Sequence, residues 1–97
     1  MSVLKQTFLI FHGADSKEAV YEVAIKCLGN KYVVLATEDI LQHGLPISSK
    51  TSVPPFLNRG FPSLDAAVIY YNAYITEMQR SRLNLGWVLA NLVEKSS

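Results

Sequence analysis

The chain has 97 residues, of which 49% are hydrophobic and only 18% are charged, and its formal net charge at pH 7 is +1. The length predicts a single domain over residues 1–97, and the near-neutral charge without a basic stripe argues against direct binding to nucleic acid. A single cysteine, no signal-peptide pattern and no apolar run near the ~20 residues that span a bilayer together predict a cytoplasmic protein without a membrane partner.

The first half of the chain predicts two strands with a helix between them. Thr7–Phe11 and Tyr32–Ala36 are continuous apolar runs, which is typical of strands covered on both faces. Asp15 or Ser16 can cap the helix, and Gly29 ends it. The predicted apolar face of this helix consists of Val20, Val23, Ala24 and Cys27.

Short elements are predicted in the middle of the chain. Thr37 caps a helix over Glu38–His43, whose acidic first turn suits the helix dipole. Residues 50–53 are the one segment of a serine-rich stretch that fits a short strand. Pro54 and Pro55 suit the first positions of another short helix, which Gly60 ends.

The second half predicts one more strand and two helices. Leu64–Tyr71 is the third clear strand, and Asn72 caps a helix that runs to about Arg80. A final amphipathic helix is predicted at about 84–94. Its apolar stripe has i, i+3, i+4, i+7 spacing and consists of Leu85, Val88, Leu89 and Leu92, with Trp87 beside it.

Apolar strands that alternate with helices predict an α/β fold. The expected architecture is a small three-layer sandwich, with a mostly parallel sheet of about four strands and helices on both faces. Ligands of such sheets bind beyond the carboxyl ends of the strands. The candidate binding residues for a small molecule or an anion at that edge are His12, Asp15, Thr37 and Asn72.

The sequence contains no strong catalytic, phosphate-binding or metal-binding motif. Two histidines and one cysteine at unrelated spacings predict no metal site, and no cofactor is predicted. Cys27 is a candidate persulfide carrier or, alternatively, a small core residue. His12 is a candidate base or ligand contact, or simply a polar residue at a strand end. Because no acid, base and nucleophile converge, a non-catalytic role is favoured over an enzyme.

A partner surface is predicted from the low charge content and the tyrosines. Apolar surface on a small chain is often covered by another subunit, and surface tyrosines are common interface anchors. The candidate interface residues are Arg59, Tyr70, Tyr74 and Trp87. Core packing for the tyrosines and a solvent-exposed loop position for Arg59 remain open alternatives.

Two short motifs give the chain a resemblance to a known family. Phe56-Leu57-Asn58-Arg59-Gly60-Phe61 and Tyr70-Tyr71-Asn72-Ala73-Tyr74-Ile75, with Trp87 behind them, resemble segments of the DsrH/TusB-like branch of the DsrE/DsrF/DsrH superfamily. The likeness covers most of residues 6–87.

The resemblance implies a parallel α/β sandwich and a place in a hetero-oligomer with DsrE- and DsrF-like subunits, or with copies of itself. It further implies an auxiliary role in a sulfur-relay assembly, as in tRNA wobble-uridine 2-thiolation or sulfur oxidation. The alternative function is that of a stand-alone small-molecule or anion-binding α/β protein.

Overall fold

The computed structural model of the chain describes residues 2–52 and 60–96. Five strands and one helix form within these ranges. In chain order the elements are β1 (Ser2–His12), β2 (Lys17–Leu28), β3 (Lys31–Gln42), β4 (Leu45–Ser52), α1 (Leu64–Asn84) and β5 (Val88–Ser96).

The strands form one antiparallel sheet in the order β4-β3-β2-β1-β5. The predicted mostly parallel sheet with helices on both faces is therefore wrong. The cause lies in the short connections. Residues 13–16 connect β1 to β2, residues 29–30 connect β2 to β3, and residues 43–44 connect β3 to β4. Turns of this length can form hairpins, whereas a parallel pair needs a crossover of about a dozen residues or more.

β2 occupies the segment for which a helix was predicted. Glu18, Glu22 and Lys26 are four residues apart, and this spacing fits one side of a strand as well as one side of a helix. The buried residues decide between the two, since every second side chain lies in the core: Ala19, Tyr21, Val23 and Ile25. The helical spacing of the residues from Val20 to Cys27 is thus a consequence of a strand that carries apolar residues on both faces.

The other predictions for the first half have mixed outcomes. Thr7–Phe11 and Tyr32–Ala36 are confirmed as parts of β1 and β3. The helix predicted over Glu38–His43 is wrong, because β3 continues to Gln42 and the two residues after it form a tight turn. Of the short strand predicted at 50–53, residues 50–52 lie in β4. Residue 53 and the predicted helix start at 54–55 lie outside the described residues.

The strand predicted over Leu64–Tyr71 is wrong, since this segment is the first part of α1. Ser63 caps the helix, and its side chain accepts a hydrogen bond from the Ala66 backbone N–H at 3.2 Å. Asn72, predicted as a cap, lies inside the helix. Helical spacing appears only among the buried residues of α1, which are Ala67, Tyr71, Ile75 and Met78.

The C-terminal helix predicted at about 84–94 is also wrong, because α1 ends at Asn84 and β5 follows. Gly86 has a φ of +91°, and the Gly86 and Trp87 N–H groups bond to the Leu83 and Arg82 carbonyls at 3.1 Å each. This is the usual glycine-terminated helix end. The chain after it pairs with β1 at the edge of the sheet.

The core lies between α1 and one face of the sheet. Its largest fully buried side chains include Tyr71 from the helix and Leu9, Phe11, Val23 and Ile25 from the central strands. Tyr71 shares a buried hydrogen bond with Thr7, and burial raises the pKa of the Tyr71 hydroxyl above its usual value. Side chains at the alternate positions of the same strands point away from α1.

Candidate functional site

A hydrogen-bonded cluster joins the end of α1 to the sheet. Arg82 donates from Nη2 to Glu38 Oε2 on β3 at 3.0 Å and from Nε to the Tyr21 hydroxyl on β2. Tyr21 in turn donates to Glu38 Oε2 at 2.7 Å. Tyr21 and Glu38 are directly opposite each other across the β2–β3 ladder, so their side chains share the face under α1. We refer to Tyr21, Glu38 and Arg82 as the polar cluster.

The polar cluster perturbs the acidity of its members. Burial and the bond to the Glu38 carboxylate raise the pKa of the Tyr21 hydroxyl, because both disfavour the phenolate. Burial of the Arg82 guanidinium disfavours its charge, but the bonds to Tyr21 and Glu38 outweigh this effect and raise its pKa. The cluster is thus a neutral tyrosine and a closed ion pair.

A cavity of about 370 Å³ opens beside the polar cluster. Besides the three cluster residues, its walls include Tyr74, Glu77, Met78, Ser81 and Leu85. The three residues of the polar cluster already bond to one another at this cavity. Such a closed network is expected of a structural connection between helix and sheet.

Trp87 holds the turn between β1 and β2 against the start of β5. The Arg82 guanidinium lies 5.0 Å from the centre of the Trp87 ring. A Cβ atom at Gly13 would lie only 2.8 Å from Trp87 ring carbons. Glycine is therefore required at position 13 for this close approach.

The four predicted binding residues do not form one site. His12 and Asp15 lie at the β1–β2 turn, where His12 Nε2 is 3.6 Å from Glu18 Oε2 and Asp15 is exposed. Thr37 is in the middle of β3 and opposite Glu22. Asn72 is exposed on α1.

Cys27 lies near the end of β2 instead of on a helix. Its side chain is half-buried, and the thiol donates to the Gly29 carbonyl oxygen at 3.6 Å. Its role as a persulfide carrier stays a prediction.

Two of the predicted interface residues, Tyr70 and Tyr74, lie four residues apart on α1, and Trp87 follows the end of this helix. Tyr70 is exposed and stacks on Phe61 with ring centres 4.9 Å apart. Tyr74 lines the cavity beside the polar cluster, and Trp87 is half-buried against Gly13. Arg59 lies outside the described residues.

Both histidines line a smaller cavity of about 280 Å³ at the turn end of the sheet. His12 and His43 meet there with Glu18, Lys17 and Ser16. Within residues 2–52 and 60–96, no group of three or more histidine, cysteine, aspartate or glutamate side chains is arranged to hold a metal ion.

The face of the sheet that points away from α1 carries apolar side chains among polar ones, and we call it the open face. No described helix lies on it. Strand alternation and the ladder register place a group of apolar residues there, which includes Phe8, Ile10, Val20, Leu35, Leu41 and Val93. An antiparallel sheet with one face in water normally carries polar side chains on that face, so the apolar side chains among them are candidates for a contact surface.

A groove of about 490 Å³ lies on the open face where β2, β3 and β4 meet. Its apolar walls are Val20, Leu41 and Pro46, and its polar groups are Asp39 and Ser49. Ser49 Oγ donates to Asp39 Oδ1 at 2.6 Å. The groove thus combines apolar walls with a carboxylate beside them.

Sequence reasoning missed the polar cluster and the open face. Glu38 was placed in the first turn of a helix, and Tyr21 and Arg82 carried no recognisable motif. The signal that could have found the open face is the composition of β2, where Val20 and Ala24 alternate with the core residues. In a sheet with a single helix, the apolar residues on the other side of such a strand stay uncovered.

Comparison with known proteins gives no relative: no protein-family model, no curated protein and no solved structure matches the chain. The DsrH/TusB resemblance and the sulfur-relay role therefore stay predictions. Within the described part of the chain, no helix combines the length and apolar character needed to cross a membrane.

Proposed function

We propose that the chain is a non-catalytic subunit that binds a protein partner through its open face. The observation that carries the proposal is the row of apolar side chains that runs across four strands of this face, from Val93 on β5 through Phe8 and Ile10 on β1 to Val20 and Leu41. Contiguous apolar surface of this kind marks binding sites on soluble proteins.

Docking of a partner on the open face would gain free energy from the apolar surface area that it buries. Burial of apolar surface contributes about 25 cal/mol per Å², so desolvating several half-exposed aliphatic and aromatic side chains gives several kcal/mol towards association. The apolar residues of the open face extend well beyond its groove, which suits a protein surface better than a small ligand confined to one pocket. The charges near Val20 are therefore specificity elements of a docking surface.

One part of the proposal rests on resemblance alone. A DsrE- or DsrF-like partner and a sulfur-relay assembly come from the two short motifs quoted above, whereas a cytoplasmic location is a separate expectation from the single cysteine. The resemblance implied a parallel sandwich, and the antiparallel sheet gives it no support. Protein binding through the open face does not depend on it.

The immobilised chain should retain its partner from a lysate of the cells that express it, and Val20→Lys should strongly reduce this retention. A lysine in the middle of the open face introduces a charge that docking would have to desolvate. Ile69→Lys is the matched control, since Ile69 is an exposed aliphatic residue on the outer side of α1. Mass spectrometry quantifies the retained proteins.

We expect at least one protein to be retained equally by the unchanged chain and by Ile69→Lys, and about tenfold less by Val20→Lys, which corresponds to 1.4 kcal/mol. Equal retention of every protein by all three baits would contradict a role for the open face.

A further inference from the structure

Three carboxylates surround Val20 on the open face. Glu18 and Glu22 lie two residues before and after it on β2, and Asp39 is directly opposite it on β3. Side chains two residues apart on a strand lie about 7 Å from each other, and directly opposite residues lie closer. The apolar groove is thus ringed by negative charge.

Few positive charges oppose this ring. Within residues 2–52 and 60–96, no lysine or arginine forms an ion pair with Glu18, Glu22 or Asp39. His12 lies 3.6 Å from Glu18, and Lys17 and His43 line the same small cavity as Glu18. Lys95 lies on the same face but sits over the Phe8 ring, with Nζ 5.5 Å from its centre.

The uneven charge is local to the groove, because the chain as a whole carries a net charge of +1. Like charges placed this close in a sheet destabilise the free protein slightly, so a partner of opposite charge would relieve them. The groove between the carboxylates has a volume of about 490 Å³, which leaves room for an apolar side chain.

We propose that the groove binds a partner segment that presents an aliphatic or aromatic side chain flanked by lysine or arginine. The apolar side chain packs on Val20, Leu41 and Pro46, and the flanking cations pair with Glu18, Glu22 and Asp39. This inference rests on the proposed function and specifies the chemistry of the partner at the same face.

The test uses two short synthetic peptides, each with one central leucine, flanked by lysines in the first peptide and by glutamates in the second. Titration into the ¹⁵N-labelled full chain should shift the amide signals of Val20, Leu41 and Ser49 with the lysine peptide only. The apparent affinity should fall about tenfold or more when the ionic strength rises from about 0.05 M to about 0.5 M, because partly exposed ion pairs are screened.

Two charge variants separate the ring of carboxylates from the net charge of the chain. Glu22→Lys should weaken binding of the lysine peptide about tenfold or more, whereas Glu77→Lys changes the net charge equally on exposed α1 and should leave binding unchanged. A lysine peptide that binds both variants as tightly as the unchanged chain contradicts the proposal.

Failure of this inference is distinguishable from failure of the proposed function. Equal shifts at Val20 and Leu41 with both peptides would overturn the basic partner and leave an apolar docking face. Absence of shifts with either peptide would also overturn this inference, while the retention experiment with Val20→Lys would still decide the proposed function by itself.

Discussion

Replacing Tyr71 by alanine should lower the free energy of unfolding by about 3–5 kcal/mol, the usual cost of removing a large buried aromatic side chain. Tyr71 is fully buried, packs in the core under α1 and shares a hydrogen bond with Thr7. Its removal leaves a cavity and an unpartnered buried hydroxyl. Urea unfolding followed by circular dichroism measures the change.

Ile69→Ala is the control for this variant and tests the helix at the same time. A strand over Leu64–Tyr71 covered on both faces would bury Ile69, whereas on α1 its side chain is 67% exposed. We therefore expect Ile69→Ala to cost less than about 1 kcal/mol. Losses of equal size for the two variants would favour the strand and contradict the fold.

Arg82→Met should lower the free energy of unfolding by about 2 kcal/mol, because it leaves the Glu38 carboxylate without its cation. Breaking a fully buried ion pair costs about 3–5 kcal/mol. The Arg82 and Glu38 side chains keep 19% and 21% of their surface exposed, so water screens part of this cost. The methionine retains much of the packing against Tyr21 and Trp87.

Two further variants isolate the ion pair in the same urea experiment. Arg80→Met removes an exposed arginine that pairs with Glu77 at 2.5 Å, and it should cost about 0.5 kcal/mol or less. Glu38→Gln together with Arg82→Met should cost less than the sum of the two single changes, since it removes both charges. Strict additivity would show that the polar cluster does not act as a unit.

The sequence predicted part of the sheet and little of its topology. Thr7–Phe11 and Tyr32–Ala36 were recognisable because continuous β-branched and aromatic runs favour strands wherever they occur. β2 was not recognisable, since Glu18, Glu22 and Lys26 are four residues apart and would lie on one side of either a helix or a strand. The relative direction of the strands was then predicted wrongly as well, because a helix between two strands implies that the strands are parallel.

The second half failed for a related reason. Val68, Ile69, Tyr70 and Tyr71 have strand-favouring side chains, but the Ser63 cap and the buried positions Ala67, Tyr71, Ile75 and Met78 make the segment a helix. Tertiary packing outweighed local propensity there. After the helix, Gly86 predicts the helix end, which the apolar spacing from Leu85 to Leu92 obscured.

The candidate site could be predicted even less. Neither the polar cluster nor the open face depends on a contiguous motif, because Tyr21, Glu38 and Arg82 come from three elements and meet only through the β2–β3 register and the helix crossing. Knowledge of the strand pairing is needed before the residues can be placed on a face.

The stability of Val20→Lys tests the central claim, that the open face is uncovered in the free chain. Val20 is half-buried on this face, and neighbouring Val23 is fully buried under α1, so Val23→Lys provides the matched comparison. In urea unfolding we expect Val20→Lys to cost less than about 1.5 kcal/mol and Val23→Lys about 4 kcal/mol or more. An equal loss for both variants would mean that the open face is core in the free chain, and it would contradict the proposed partner surface.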